Sequence, residues 1–231
     1  IKNANSYLLH DNNSHASTMT GLLSRQCINY GKYPLLAQKL TVLKERLPET
    51  FVNTQYATAF ALLIGHKIGM DADSLSVVFL ATQMTETGLL NISPESLPNL
   101  ETGSLEERLK VFDDQLDQGM SFMKMIPALS KRIVRAVREH RERRDGSGWP
   151  GKIHGDSLSI ESQIVSLSYM LSDALVSKLK PRGYQTDHLL PLLQTEAHCF
   201  NLEIYNAAAE LLRPTFRNTD TTIPLEFIIH L

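Results

Sequence analysis

Residues 140–150 read H-R-E-R-R-D-G-S-G-W-P. A basic run meets Asp145, Gly146, Ser147 and Gly148 and stops at the pair Trp149 and Pro150, a density of backbone punctuation found nowhere else in the chain. Gly146 and Gly148 reach backbone angles closed to other residues, Pro150 fixes its own φ, and the Asp145 carboxylate can accept from nearby amides. The chain is therefore expected to turn here and to hold a defined loop.

Working outward, both flanks read as helical. On the N-terminal side, Pro127 suits the first turn of the helix that runs into the loop. Ahead of it, Ser104 and Glu107 form a capping box for a helix through residues 109–126, with Met120, Met123 and Met125 as core filler. On the other side, residues 151–159 read as a connection and residues 160–179 as an amphipathic helix, broken by Pro181 and Gly183. Residues 187–200 and 202–212 predict two further helices, and the tail at 221–229 an extended strand. Further upstream, residues 50–69 predict a buried helix capped by Gly69, followed by an Asp71 or Asp73 cap and a helix through 74–90 that is apolar on most faces. A leucine stripe at 35, 36, 40, 43 and 47 predicts a helix from 34 to 47, and Met19, Leu22, Leu23 and Cys27 an earlier one; residues 1–16 read as a loose lead-in.

Helices joined by short polar breaks predict an all-α bundle, with residues 1–48 as a helical extension or connector and 49–231 as the main domain. At 231 residues, with 42% apolar and 21% charged side chains, the composition is that of an ordinary globular protein, and a net charge of −2 gives no electrostatic case for nucleic acid. No apolar run approaches the roughly 20 residues needed to cross a bilayer. The two cysteines, Cys27 and Cys199, lack metal-type spacing and read as buried thiols suited to the cytoplasm. His66 falls near a helix C-terminus, where it complements the dipole; His10 and His15 read as solvated, and His154, His188, His198 and His230 carry no partner pattern and read as structural or exposed. The first residue is Ile1, which suggests a fragment or a processed chain, and an upstream sensory or receiver domain could then be missing.

The stretch at 140–150 resembles the signature of the HD-GYP family, H-H-E-x-x-D-G-x-G-Y-P, with Arg141 in the slot of the second histidine and Trp149 in that of the tyrosine. The resemblance covers roughly residues 49 to 215 and implies an HD-domain-like helical bundle with an N-terminal extension. It implies a metal-dependent hydrolase of cyclic di-GMP whose ions are held by histidines and carboxylates. Residues 61–92 resemble the segment in which the family carries its paired His-Asp, which puts Thr85 and Glu86 in those slots and Leu89 in the lysine slot. An earlier ligand histidine falls at Asn53, with the acid four before it at Glu49. QLDQG at 115–119 resembles H-P-x-x-G and puts Gln115 in a histidine slot, and the late aspartate falls at or beside Tyr169.

Of these slots, His140, Glu49 and Glu86 keep metal-compatible chemistry. Asn53, Thr85, Gln115, Arg141 and Tyr169 do not: neutral amides ligate weakly, and a guanidinium is a permanent cation. The expectation is a degenerate domain with no metal centre, Arg141 pairing with Glu86, Glu49 or both in place of the ions. The competing reading of Arg141 is one member of a solvated basic run with Arg138, Arg143 and Arg144. A single iron or manganese ion on Glu49, Glu86 and His140 is the alternative for the site, and with it an atypical phosphodiesterase. Glu142 reads as support for the loop, through ion pairs with its arginine neighbours.

Without hydrolysis, the resemblance implies a binding module in bacterial cyclic di-GMP signalling. The loop of Asp145, Gly146, Gly148, Trp149 and Pro150 would present an aromatic anchor flanked by Arg143, Arg144 and Lys152 to a GGDEF-domain or other signalling protein, or to cyclic di-GMP itself. Trp149 as a plug tucked against the bundle is the other reading, and a homodimer built by the N-terminal helix pair is a third output.

Overall fold

The computed structural model describes residues 20–26, 30–183 and 186–213. The expected strand at 221–229, the lead-in at 1–16, and Cys27, His10, His15 and His230 lie outside them. Among the described residues the fold is all-α, and its one β-bridge joins Asp145 to His154 within the signature loop. The longer helices are α1 (Pro34–Arg46), α2 (Pro48–Lys67), α3 (Ala72–Met84), α4 (Leu105–Lys124), α5 (Lys131–Arg138), α6 (Ile160–Asp173) and α7 (Leu202–Leu212). None of the described helices is long and apolar enough to cross a membrane.

The centre of the bundle is α2. It starts on Pro48, whose missing N–H is no loss in a first turn, and it is buried from Asn53 to Gly65 on every face. α1, α3, α6 and α7 pack around it. Leu36, Leu40 and Leu43 turn from α1 toward the core at the i, i+4, i+7 spacing, whereas Leu35, off that stripe, stays 36% exposed. Ile164, Leu167 and Leu171 are fully buried on α6, each contributing about 1.5–3 kcal/mol by leaving water. Several polar groups of α2 are bonded along it or to α3: Thr58 Oγ1 donates to Thr54 O (2.8 Å) and Gln83 Nε2 donates to Thr58 Oγ1 (3.0 Å) and to Gln55 Oε1 (3.3 Å).

Caps follow the sequence at several ends. Gly69 takes φ +78° after α2, Asp71 Oδ1 accepts from Ser74 N (2.7 Å) at the start of α3, and the Ser104/Glu107 capping box opens α4. Other boundaries differ. α5 starts at Lys131 on a Ser130 cap, not at Pro127, because Ala128 at φ +55° turns the chain between them. Met125 caps the C-terminus of α4 and is 65% exposed rather than core; Met123 is the buried methionine there and Met120 is half-buried. The helix from residue 160 changes from α to π geometry at Ala174–Leu179 before ending at Gly183 (φ +78°). Residues 187–200 are not one helix but short pieces, Thr186–Leu189, Leu190–Thr195 and Ala197–Cys199, the second with Pro191 in its first turn.

The difference that matters for the site is in α3. The expected helix through 74–90 stops at Met84 and is followed by a 3-10 turn, Thr87–Asn91. Thr85 Oγ1 donates to Thr82 O (2.9 Å) and Thr87 Oγ1 to Met84 O (2.8 Å), so side chains bind carbonyls at the point where the helix ends. The turn then lies directly on α4, since a Cβ on Gly88 would sit 2.0 Å from Gln115 O and 2.9 Å from Gly119 N.

Candidate functional site: an arginine-centred cluster beneath the signature loop

Four elements converge under the loop. The break after α3 supplies Thr85 and Glu86, α4 supplies Phe112 and Gln115, the chain just past α5 supplies His140 and Arg141, and α6 supplies Tyr169. Gln115 Nε2 donates to Thr85 O (3.1 Å), and Gln115 Oε1 accepts from Arg141 Nη2 (3.3 Å). The same Arg141 nitrogen lies 3.5 Å from Glu86 Oε1. The guanidinium sits over the Phe112 ring at 4.0 Å from its centroid and 5.8 Å from that of Tyr169. Tyr169 in turn meets the His140 ring edge-on, with centroids 6.0 Å apart. Arg141 is therefore inside, one quarter exposed, and not part of a solvated basic run.

Charge in this cluster is governed by burial. Glu86 is 3% exposed, and burial raises its pKa against the opposing pull of Arg141, then Tyr169 and Gln115. Tyr169 is pushed well above the usual phenol value, first by burial and then by the Glu86 charge. His140 is 5% exposed, and burial with the neighbouring Arg141 cation lowers it to about 3. It is therefore a neutral imidazole. Its Nδ1 lies 2.6 Å from Val137 O, an acceptor, so the proton sits on Nδ1 and Nε2 keeps a lone pair. That Nε2 atom, Glu86 Oε1 and Asn53 Oδ1 on α2 are buried without a hydrogen-bond partner.

Thr85, Glu86, Gln115, His140, Arg141 and Tyr169, six of the positions expected from the sequence, are thus in one place. Glu49 is not with them. It lies exposed in the first turn of α2 and among the described residues makes no ion pair with Arg141, so Glu86 alone takes that role. Asn53 is buried, but no bond ties it to the cluster. Phe112 is the member that sequence reading missed. It stands three residues before Gln115 on α4, the helical spacing that places two side chains on one face.

The loop above is held as its composition demands. Gly146 takes φ +79°, and Asp145 Oδ1 accepts from Ser147 N (3.0 Å) and Ser147 Oγ (2.7 Å). A Cβ on Gly148 would lie 2.3 Å from Arg143 N, so only glycine lets the strands of the loop close. Trp149 N donates to Arg141 O (3.1 Å), and the Trp149–Pro150 bond is cis. Glu142, 1% exposed, supports the loop through backbone amides instead of its arginine neighbours, accepting from Gly151 N and from Ile153 N (3.1 Å). The indole of Trp149 is half-buried with its centroid 6.5 Å from that of Phe112. Arg143 does not flank it at the surface: its side chain runs inward to Ser166 Oγ (2.5 Å) and over the Phe200 ring. Arg144 pairs with Asp156 (3.0 Å), and Lys152 is exposed.

Comparison with known proteins places this architecture. The sequence matches the HD domain family over residues 33–199. Among solved structures the chain is similar to Bd1817, an HDG"Y"P protein from Bdellovibrio bacteriovorus, with a TM-score of 0.57 and 12% identity over 86% of this chain and 69% of that one. At that identity the likeness is one of fold. No curated protein matches by sequence.

Proposed function

The chain belongs to the HD domain family, and on that footing we propose that it is a catalytically inactive, HD-GYP-like module of the cytoplasm. It works by binding in bacterial cyclic di-GMP signalling, its partner a GGDEF-domain protein or cyclic di-GMP itself. The observation that carries this reading is Arg141, whose guanidinium lies 3.5 Å from Glu86 and 3.3 Å from the Gln115 carbonyl oxygen. A hydrolytic centre needs several anionic or imidazole ligands to lower the pKa of a bound water. The donor set does not fit such a centre. Thr85 Oγ1 is spent on Thr82 O, Gln115 is neutral, and a fixed cation faces Glu86, the carboxylate of the cluster, where an ion of the same sign would have to sit.

A second reading, a reduced site with a single iron or manganese ion, is favoured by His140 Nε2, Glu86 Oε1 and Asn53 Oδ1, buried atoms that make no hydrogen bond. Elemental analysis of protein purified without chelators, with iron and manganese added in parallel, separates the two. The binding module predicts iron and manganese well below one ion per chain and no hydrolysis of cyclic di-GMP. Calorimetric titration with cyclic di-GMP and with a GGDEF-domain protein should then detect binding that Trp149→Ala weakens while the helical circular dichroism is kept. Near-stoichiometric iron or manganese that is lost in His140→Ala, together with turnover, would establish the enzyme instead.

A further inference from the structure

We propose that Asp145, His198 and Cys199 form a site for one divalent ion of the zinc type, separate from the arginine-centred cluster. The three side chains come from two segments 54 residues apart, the signature loop and the 3-10 turn Ala197–Cys199. Their donor atoms close a triangle: His198 Nε2 to Asp145 Oδ2 3.4 Å, Cys199 Sγ to Asp145 Oδ2 3.7 Å, and Cys199 Sγ to His198 Nε2 3.5 Å. For a tetrahedral zinc ion with Zn–S of about 2.3 Å and Zn–N and Zn–O of about 2.0–2.2 Å, the edges come to about 3.6 Å from sulfur to either light atom and about 3.4 Å from nitrogen to oxygen. The spacing in the protein is that of the coordination polyhedron on all three edges.

Hydrogen bonding alone accounts for two of them. The thiol and an Nε2–H can both donate to Oδ2, and the sulfur–nitrogen edge is then left without a proton. An ion at the centre accounts for all three. Asp145 is also prepared for it: Ser147 holds Oδ1 with two hydrogen bonds and leaves Oδ2 directed at the other two residues. Cys199 is a buried free thiol, and Arg144 N donating to Cys199 O (2.9 Å) fixes the two segments side by side. The His198 side chain is 68% exposed, which leaves the fourth position open to water. Sulfur, imidazole and carboxylate together suit zinc and cobalt and disfavour magnesium and calcium. The ion would clamp the loop to the turn before α7.

Cobalt(II) titrated into the full chain after chelator treatment tests this. One ion per chain should bind with a near-ultraviolet thiolate-to-cobalt band and visible absorption of a tetrahedral ion. The band should be lost in Cys199→Ser and His198→Gln. The His198 change lies at the surface, so unaltered circular dichroism keeps it decisive should Cys199→Ser fold poorly. Absence of the band at excess cobalt, or its persistence in His198→Gln, overturns the site. The central cluster contains no cysteine, so cobalt bound there would give no thiolate band, and the result stands apart from the fate of the binding-module reading.

Discussion

Arg141 bonds Gln115, faces Glu86 and sits over the Phe112 ring, so a single side chain supplies a hydrogen-bond donor and the positive charge for the centre of the site. Removing one partner of a buried pair strands the other, which costs several kcal/mol when burial is complete. Water reaches one side of Arg141, so Arg141→Gln is expected to lose about 2–3 kcal/mol in urea unfolding at pH 7, toward the lower end of that range. Glu86→Gln in the same chain should restore most of the loss. Equal stability of Arg141→Gln and the parent would mean that the pair holds no net energy. Most of this cluster was legible, because His140, Arg141, Thr85, Glu86 and Gln115 each stand at a recognisable slot. For Glu49 the slot gave the residue but not its exposure. Likewise the Asp145, His198 and Cys199 triangle has no local pattern, since only the fold closes 54 residues of separation.

At the level of elements, helices were readable wherever periodicity and caps agreed, as in α1, α2 and α4. The end of α3 was not, because T-E-T offers no proline or glycine until Gly88. What ends the helix there is hydroxyl bonding by Thr85 and Thr87 combined with the docking of the next turn on α4. Propensity carries no record of that docking. It does imply a sharp steric test at Gly88, where an added Cβ would meet the Gln115 carbonyl at 2.0 Å, a backbone atom that cannot swing aside. Gly88→Ala is expected to cost about 3 kcal/mol, read as a lowered melting temperature. A melting temperature within experimental error of the parent would show that the turn and α4 separate easily.

For the whole molecule, burial of a neutral histidine sets part of the acid limit. His140 titrates at about 3 in the folded chain against 6.5 when exposed, so in that window the unfolded chain binds a proton that the folded one does not. Stability from this group is present above pH 6.5 and is lost as pH falls toward 3, by up to about 1.4 kcal/mol per pH unit. Glu86 is shifted upward and acts in the opposite sense, but it is present in both proteins of a paired comparison. Urea midpoints between pH 7 and 4 should therefore fall more steeply in the parent than in His140→Asn; parallel curves would mean that His140 titrates normally. The bond from Trp149 N to Arg141 O has a different reach. Trp149 is the chain's sole tryptophan, and Phe112 neighbours both its indole and the guanidinium of Arg141. The molecule carries its own optical gauge: emission excited at the indole reports, without any label, whether the arginine beneath the loop has stayed in its seat.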